Sequence, residues 1–234
     1  MKTRIKAGLV IGIIFLCANT FGQTNEMGPI KTKDHEKSAE TYLDLMINMV
    51  STNLNYGSSN SSLADYKKSV NGIQAGFSFQ AGITPGFSLV SDLYFLKKGG
   101  KLKTNNPLSA NESTLRFNTL ELPVLARFHF GKFYMNAGPS IAYTMSGTRK
   151  TDGLATDLSF NNSPDGFKRF DAGIQMGGGY MFQIKQKRLA LDIRYNYGLT
   201  NISHSQEMYN RGFMISLNFS KPWKTNPLGR NRHS

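Results

Sequence analysis

The sequence predicts an all-β fold: an eight-stranded, antiparallel, up-and-down transmembrane β-barrel. Three observations predict it. The first is strict two-residue alternation, clearest in Leu189–Leu199, where Leu189, Leu191, Ile193, Tyr195, Tyr197 and Leu199 alternate with Ala190, Asp192, Arg194, Asn196 and Gly198. A period of two gives a strand with two chemically different faces, and this one matches the roughly 9–11 tilted residues that cross a bilayer. The second is that the connections between such strands alternate long and short, as in membrane barrels. The third is the chemistry of the polar face. It carries Gly, Ser, Asn and Gln rather than the Lys, Glu and Thr of a water-facing sheet, and so suits the crowded interior of a narrow barrel.

The strands follow in order. Thr41–Leu54 is the first, with Leu43, Leu45, Ile47 and Met49 on one face. Tyr56–Ser69, rich in Ser, Asn and Gly, is a long loop. The second strand, Asn71–Ile83, sets Ile73, Ala75, Phe77, Phe79 and Ala81 against Gln74, Gly76, Ser78, Gln80 and Gly82. Thr84-Pro85-Gly86 is a tight turn into the third strand, Phe87–Lys97, with Ser88, Asp92 and Tyr94 on its inner face. Lys98–Ser113 is the second long loop. The fourth strand, Thr114–Phe130, has Leu120, Leu122, Val124, Ala126 and Phe128 outward and Glu121, Arg127 and His129 inward. Its phase slips near Thr119, where a bulge is expected. Gly131-Lys132 turns into the fifth strand, Phe133–Gly147, and Thr148–Gly166 is the third long loop. The sixth strand is Phe167–Ile184, followed by the short turn Lys185–Lys187 and the seventh strand described above. Thr200–Met208 is the fourth long loop, and Tyr209–Phe219 is the last strand. Pro123 and Pro139 fall inside the fourth and fifth strands, where each removes a ladder donor, so bulges are expected there as well.

This phase assignment sends Asp92, Glu121, Arg127, Asp171, Asp192 and Arg194 into the lumen, where charges are costly unless paired. They are read as a structural ion-pair network that plugs the barrel. Phe87, Phe95, Phe128, Phe130, Phe133, Tyr180, Phe182 and Tyr197 lie near strand ends on the apolar face and are expected to form aromatic girdles at the membrane interfaces.

Residues 1–22 read as an export signal: Lys2, Arg4 and Lys6, then an apolar run at Gly8–Leu16, then small residues before Gln23. Cys17 is the only cysteine and lies within it, so the mature chain has no disulfide. Residues 23–40 are polar and without periodicity, a periplasmic linker; 41–219 form the barrel; 220–234 form a basic periplasmic tail. An even strand number puts both termini in the periplasm, with the barrel multi-pass in the outer membrane of a Gram-negative bacterium. The net charge of +13 falls to +10 without the three signal-region charges. Much of the excess sits in connections and tail (Lys67, Lys68, Lys97, Lys98, Lys101, Lys103, Lys221, Lys224, Arg230, Arg232). These are read as solvated loop charges, with attraction to anionic lipid head groups as the second reading. An exported chain without a recognition motif is not a nucleic-acid binder.

The sequence offers no catalytic, metal or cofactor site. Histidines 35, 129, 204 and 233 are scattered, which is no metal-ligand spacing. Ser203-His204-Ser205 with Glu207 holds the residue types of a hydrolase, but in a loop. Gly177-Gly178-Gly179 lacks the Lys-Ser/Thr of a phosphate loop and lies in an alternating strand, so close packing or a bend is the expected role.

Four stretches together resemble the PorT family of Bacteroidota outer-membrane β-barrel proteins: Leu120-Glu121-Leu122-Pro123-Val124-Leu125, Asn136-Ala137-Gly138-Pro139-Ser140, the glycine-rich Asp171–Tyr180, and Asp192–Leu199. The resemblance makes both awkward prolines family features. It implies a small outer-membrane barrel without catalytic residues, and it links the chain to the type IX secretion route through the founding member. Gly212, Phe213, Ile215, Leu217 and Phe219 resemble the final-strand signal read by the barrel assembly machinery, departing from it in the tail that follows. The expected partners are therefore outer-membrane lipid, that machinery during biogenesis, and secretion-system or surface partners. The leading expectation is a non-enzymatic barrel with a plugged lumen, acting as a secretion-accessory or surface binding/structural protein. A lipid-modifying barrel enzyme and a soluble exported β-barrel carrier are the alternatives.

Overall fold

The computed structural model describes residues 41–184 and 187–220. The signal, the linker 23–40 and the tail beyond Ser220 lie outside them. Ten strands form in chain order: β1 (Tyr42–Tyr56), β2 (Lys67–Lys68), β3 (Val70–Thr84), β4 (Phe87–Leu102), β5 (Ser113–Phe130), β6 (Phe133–Thr151), β7 (Leu154–Asp157), β8 (Phe170–Ile184), β9 (Lys187–Gly198) and β10 (Met208–Ser220). Two are accessory, β2 against β4 and β7 against β6. The other eight close on themselves, each antiparallel to its neighbours in sequence, and β1 pairs with β10 to complete the circle. Closure leaves no free edge, which an eight-stranded sheet in lipid requires because no water is there to satisfy one.

The alternation read from the sequence has one sense. Leu43, Leu45, Ile47 and Met49 are 46–68% exposed, whereas Met46 is 1% and Asn48 0%. The same holds around the wall, with Ile73, Phe77, Leu93, Leu120, Met135, Ile141, Ile193, Ile215 and Leu217 all turned out. A soluble barrel buries its apolar face. This one presents it as a continuous band, far beyond the patch that water tolerates, so the solvent of the outer wall is lipid. That excludes the soluble-carrier reading.

Several expected boundaries shift. β4 runs past Lys97 to Leu102, β6 runs past Gly147 to Thr151, and β8 begins at Phe170 rather than Phe167. The first long loop is not irregular: Ser58–Tyr66 is a 3₁₀ helix, followed by β2. The third contains a hairpin between β6 and β7. Asp152 (φ 53°) and Gly153 (φ 84°) supply the two positive φ values that a two-residue hairpin turn needs. The bulge expected near Thr119 is present as a register shift between Asn118 and Thr119 in the β5–β6 ladder.

The bulges expected at Pro123 and Pro139 are absent. The β4–β5 ladder passes from Ser91↔Val124 to Tyr94↔Glu121, and the β5–β6 ladder from Pro123↔Ser140 to Ala126↔Ala137, each in unchanged register. Each proline therefore interrupts pairing on one side only, while its other side stays paired (Pro123↔Ser140, Pro139↔Ile174). Gly138 makes the close approach at Pro139 feasible, because a Cβ there would lie 2.1 Å from the Val124 carbonyl oxygen.

The aromatic residues divide between the two ends. Phe87, Phe128, Phe130, Phe133, Tyr180 and Phe182 gather at the end with the short turns, where Phe133 and Tyr180 meet edge to face at 4.7 Å and Phe87 and Phe128 pack tilted at 5.2 Å. Phe95 and Tyr197 lie toward the end with the long loops, joined by Tyr143 and Phe170, which pack at 5.1 Å. From Phe130 to Leu120 is roughly 25 Å of height at a normal strand tilt, the thickness of the apolar band of a membrane barrel.

Ile47, between Ala75 and Leu217 in the sheet, tests the lipid-facing assignment. Ile47→Arg is expected to lower unfolding free energy in phosphatidylcholine vesicles by about 2–4 kcal/mol, measured by urea titration. An effect under about 0.5 kcal/mol, normal for a water-exposed site, would place this face outside the hydrocarbon.

Candidate functional site

The interior of the barrel is polar, and its charged groups meet across it. Five carboxylates (Asp44, Asp92, Glu121, Asp171, Asp192) and four cations (Lys98, Arg127, Arg188, Arg194) are buried among the described residues. They form three tiers between the turn end and the loop end.

The turn-end tier joins β1, β3, β4, β5 and β9. Arg188 pairs with Asp44, donates to the Gln80 carbonyl at 3.0 Å and stacks 3.7 Å from the centre of the Tyr42 ring. Arg127 donates to the same Gln80 oxygen at 2.9 Å. Ser88 shares a 2.8 Å hydrogen bond with His129.

Asp192 on β9 holds the middle tier. Its carboxylate accepts from Arg194 Nε and Nη2 at 3.0 Å each, Tyr134 Oη at 3.0 Å, Asn136 Nδ2 at 3.1 Å and Arg127 Nη2 at 3.2 Å. Arg194 also pairs with Asp92 on β4. The Arg127 guanidinium lies 4.1 Å over the Tyr134 ring. A planar guanidinium with five donors suits such bridging, since one side chain serves two carboxylates.

The loop-end tier is built on Glu121 and Asp171. Glu121 accepts from Gln175 at 2.7 Å, Tyr94 at 3.2 Å and Asn196 at 3.2 Å. Lys98 spans the two acids, 2.8 Å from Asp171 and 3.5 Å from Glu121. Thr200 and Asn210 complete Asp171 at 2.7 Å each.

All six lumen residues read from the sequence are thus brought together. Three charged members were missed there. By residue type Lys98 reads as a solvated loop charge, but β4 continues past it and it is 3% exposed. Its two-residue spacing from Asp92, Tyr94 and Leu96 carries the signal, once the strand is allowed to run beyond Lys97. Asp44 sits between Leu43 and Leu45 and has the same inward phase. Arg188 precedes Leu189 and keeps the β9 alternation.

The glycine run Gly177–Gly179 takes the packing role expected of it. A Cβ at Gly179 would lie 2.3 Å from Tyr134 Oη, and one at Gly177 would lie 2.0 Å from the Ile193 carbonyl oxygen and 3.0 Å from the Arg194 Cγ. Glycine on β8 makes room for the large side chains that reach Asp192.

Above the loop-end tier lies an apolar cluster. Leu54, Leu63, Leu102, Leu115, Phe117, Phe167, Ile202 and Met208 are buried together, with Tyr66, Leu158 and Phe160 against them. Phe117 and Phe167 meet edge to face at 5.3 Å. Tyr56 belongs to this cluster, and burial pushes its phenol up to about 12. Leu63 arrives on the 3₁₀ helix and Phe167 and Ile202 on connections, so loop segments supply much of the cluster.

The hydrolase residue types do not converge. Ser203 is buried and its Oγ accepts from the Ser205 amide at 3.3 Å. Glu207 accepts from the Ser59 hydroxyl at 2.8 Å. Among the described residues no hydrogen bond joins Ser203, His204 and Glu207 through their side chains, and no cluster of acids and histidines has metal-binding geometry. Gly212, Phe213, Ile215, Leu217 and Phe219 lie on β10, the four apolar side chains turned to lipid.

A closed antiparallel barrel with a lipid-facing apolar band and a polar interior defines the class of outer-membrane β-barrel proteins. The chain belongs to the outer membrane protein beta-barrel domain family, whose model matches residues 21–204. None of the curated proteins compared with it matches. Among solved structures it is similar to Ail, the attachment invasion locus protein of Yersinia pestis (9% identity, 79% of this chain and 99% of that one, TM-score 0.42). It is also similar to Neisserial surface protein A (11%, 77% and 97%, 0.43) and to the Escherichia coli outer membrane protein W (15%, 80% and 100%, 0.38).

The middle tier gives a direct test. Arg194→Met leaves Asp92 and Asp192 each short of a buried cation and is expected to cost about 3–5 kcal/mol of stability in vesicles. Adding Asp92→Leu should restore part of that loss, since removing both partners of a buried pair is far cheaper than removing one. Equal or greater loss in the double variant would contradict the pairing.

Proposed function

We propose that this chain is a non-enzymatic outer-membrane barrel of the PorT type whose lumen is plugged, and that it works through its outer loops and periplasmic ends as a secretion-accessory or surface-binding protein. The observation that carries the reading is the three-tier network spanning the interior beneath the apolar cluster at the loop end. A route for solute would have to break buried ion pairs in the middle tier and part a packed apolar layer above. Eight strands leave an interior just wide enough for side chains to fill. Function then falls to what lies outside the lumen: the loops, the turns and the chain beyond the barrel. The PorT assignment rests on the Leu-Glu-Leu-Pro and Ala-Gly-Pro stretches, and the final strand is proposed as the signal for the assembly machinery.

Deletion of the gene, followed by comparison of proteins in the culture medium and the periplasm, tests the secretion arm. That arm predicts exported cargo accumulating in the periplasm and returning to the medium on complementation. Unchanged compartments would remove secretion and leave surface binding through the outer loops.

A further inference from the structure

The outer wall changes chemistry abruptly at one height. Along β4 the outward positions run Leu93, Phe95 and then Lys97 and Lys101; along β5 they run Val124, Leu122, Leu120 and then Asn118, Arg116, Thr114. On β6 the outward face passes from Ile141, Tyr143 and Met145 to Ser146, Thr148 and Lys150, with the β5–β6 register shift at the change. The ladders hold these strands side by side, pairing Lys97 with Asn118, Lys101 with Thr114, and Thr114 with Lys150. Lys68 on β2 pairs with Lys101 and extends the basic face. Immediately above the Phe95 and Tyr143 level, the wall therefore presents cations at the height of lipid head groups.

The same wall is concave. A groove of about 710 Å³ opens between the loop following β4 and the β6–β7 hairpin, with Lys101, Thr114, Arg116, Thr148 and Lys150 in its lining. Two acids also line it. Glu112 pairs with Lys101 at 2.5 Å, and Asp152 lies at the hairpin tip. Arg116 and Lys150 belong to none of the described ion pairs, and Arg116 stands opposite Thr148 in the β5–β6 ladder, two residues from Thr114.

We propose that this groove binds the phosphorylated headgroup of an anionic glycolipid in the adjoining leaflet, with its acyl chains lying against the apolar band below. The charge is complementary, an Arg fork suits a phosphate, and the hydroxyls of Thr114 and Thr148 in the same lining suit a sugar. Continuity with the apolar band favours a lipid over a soluble anion. The inference rests on the reading that the long-loop end faces outward, where such a lipid lies within reach.

The test uses the mature full-length protein in dodecyl maltoside micelles, titrated with fluorescent bisphosphorylated lipid A and, separately, with phosphatidylcholine. Wild type is expected to prefer lipid A, with millimolar inorganic phosphate failing to compete. Lys101→Gln/Arg116→Gln/Lys150→Gln should weaken lipid A binding by about tenfold or more while leaving phosphatidylcholine uptake unchanged. Lys187→Gln, at the opposite end of the barrel, should bind as wild type. Retention of the heat-modifiable gel shift shows that each variant is folded, and the single Arg116→Gln replaces the triple variant if that one fails to fold. Unaltered lipid A affinity in the folded variant, or equal weakening by Lys187→Gln, would overturn the site. Competition by inorganic phosphate would overturn the lipid as its occupant. Asp152→Cys labelled in whole cells by an impermeant maleimide separates the two readings: lipid A binding without labelling would refute the orientation and leave the groove standing.

Discussion

The Asp192 carboxylate is the constraint on which the interior is arranged. It takes donors from β5, β6 and its own strand, and through Arg194 it reaches Asp92 on β4. A buried carboxylate in a medium that water does not readily enter is tolerable only when its oxygens are filled. Here filling them requires Arg127, Tyr134, Asn136 and Arg194 to arrive from different strands at one point. The strand register is therefore fixed from inside as well as by the ladders. A one-residue slip would turn these groups to lipid.

Fitting so many large polar groups into a narrow barrel demands small residues opposite them. Gly177 and Gly179 on β8 give way to Arg194 and Tyr134, and Ser88 and Ser140 line the same interior. Outside, where lipid is fluid, size is free and the face is Leu, Ile, Met and Phe. The two faces thus obey different rules: volume and pairing inside, hydrophobicity outside. At the loop end a third rule applies. The strands rise beyond the band and the loops fold inward, so Leu54, Phe117, Phe167 and Met208 pack as in a water-soluble core.

The barrel was legible because period-two alternation writes both faces into every strand. The six central lumen charges were legible for the same reason. Strand ends were less so, because alternation continued through residues whose type suggested a loop: Lys98 reads as a solvated lysine until the strand is extended and its carboxylate partners, Glu121 and Asp171, are found on β5 and β8. The hairpin at Asp152-Gly153 carried a recognisable turn signal. The apolar cluster did not, since Leu63, Phe167 and Ile202 are isolated within polar segments and meet only through long-range folding. The prolines misled in a specific way: a bulge is one remedy for a missing donor, but a gap on one side of the ladder with the register kept is another. The basic groove was visible only as scattered loop lysines until the ladders set Lys101, Thr114 and Lys150 side by side.

The proposed plug requires that the interior pass no ions. Single-channel recording of the purified protein in planar bilayers, with potential applied in both directions, tests it most directly. A plugged wild-type barrel gives no discrete conductance steps. Reproducible ohmic steps from the folded wild-type protein would contradict it, and the function would then have to be sought in the lumen.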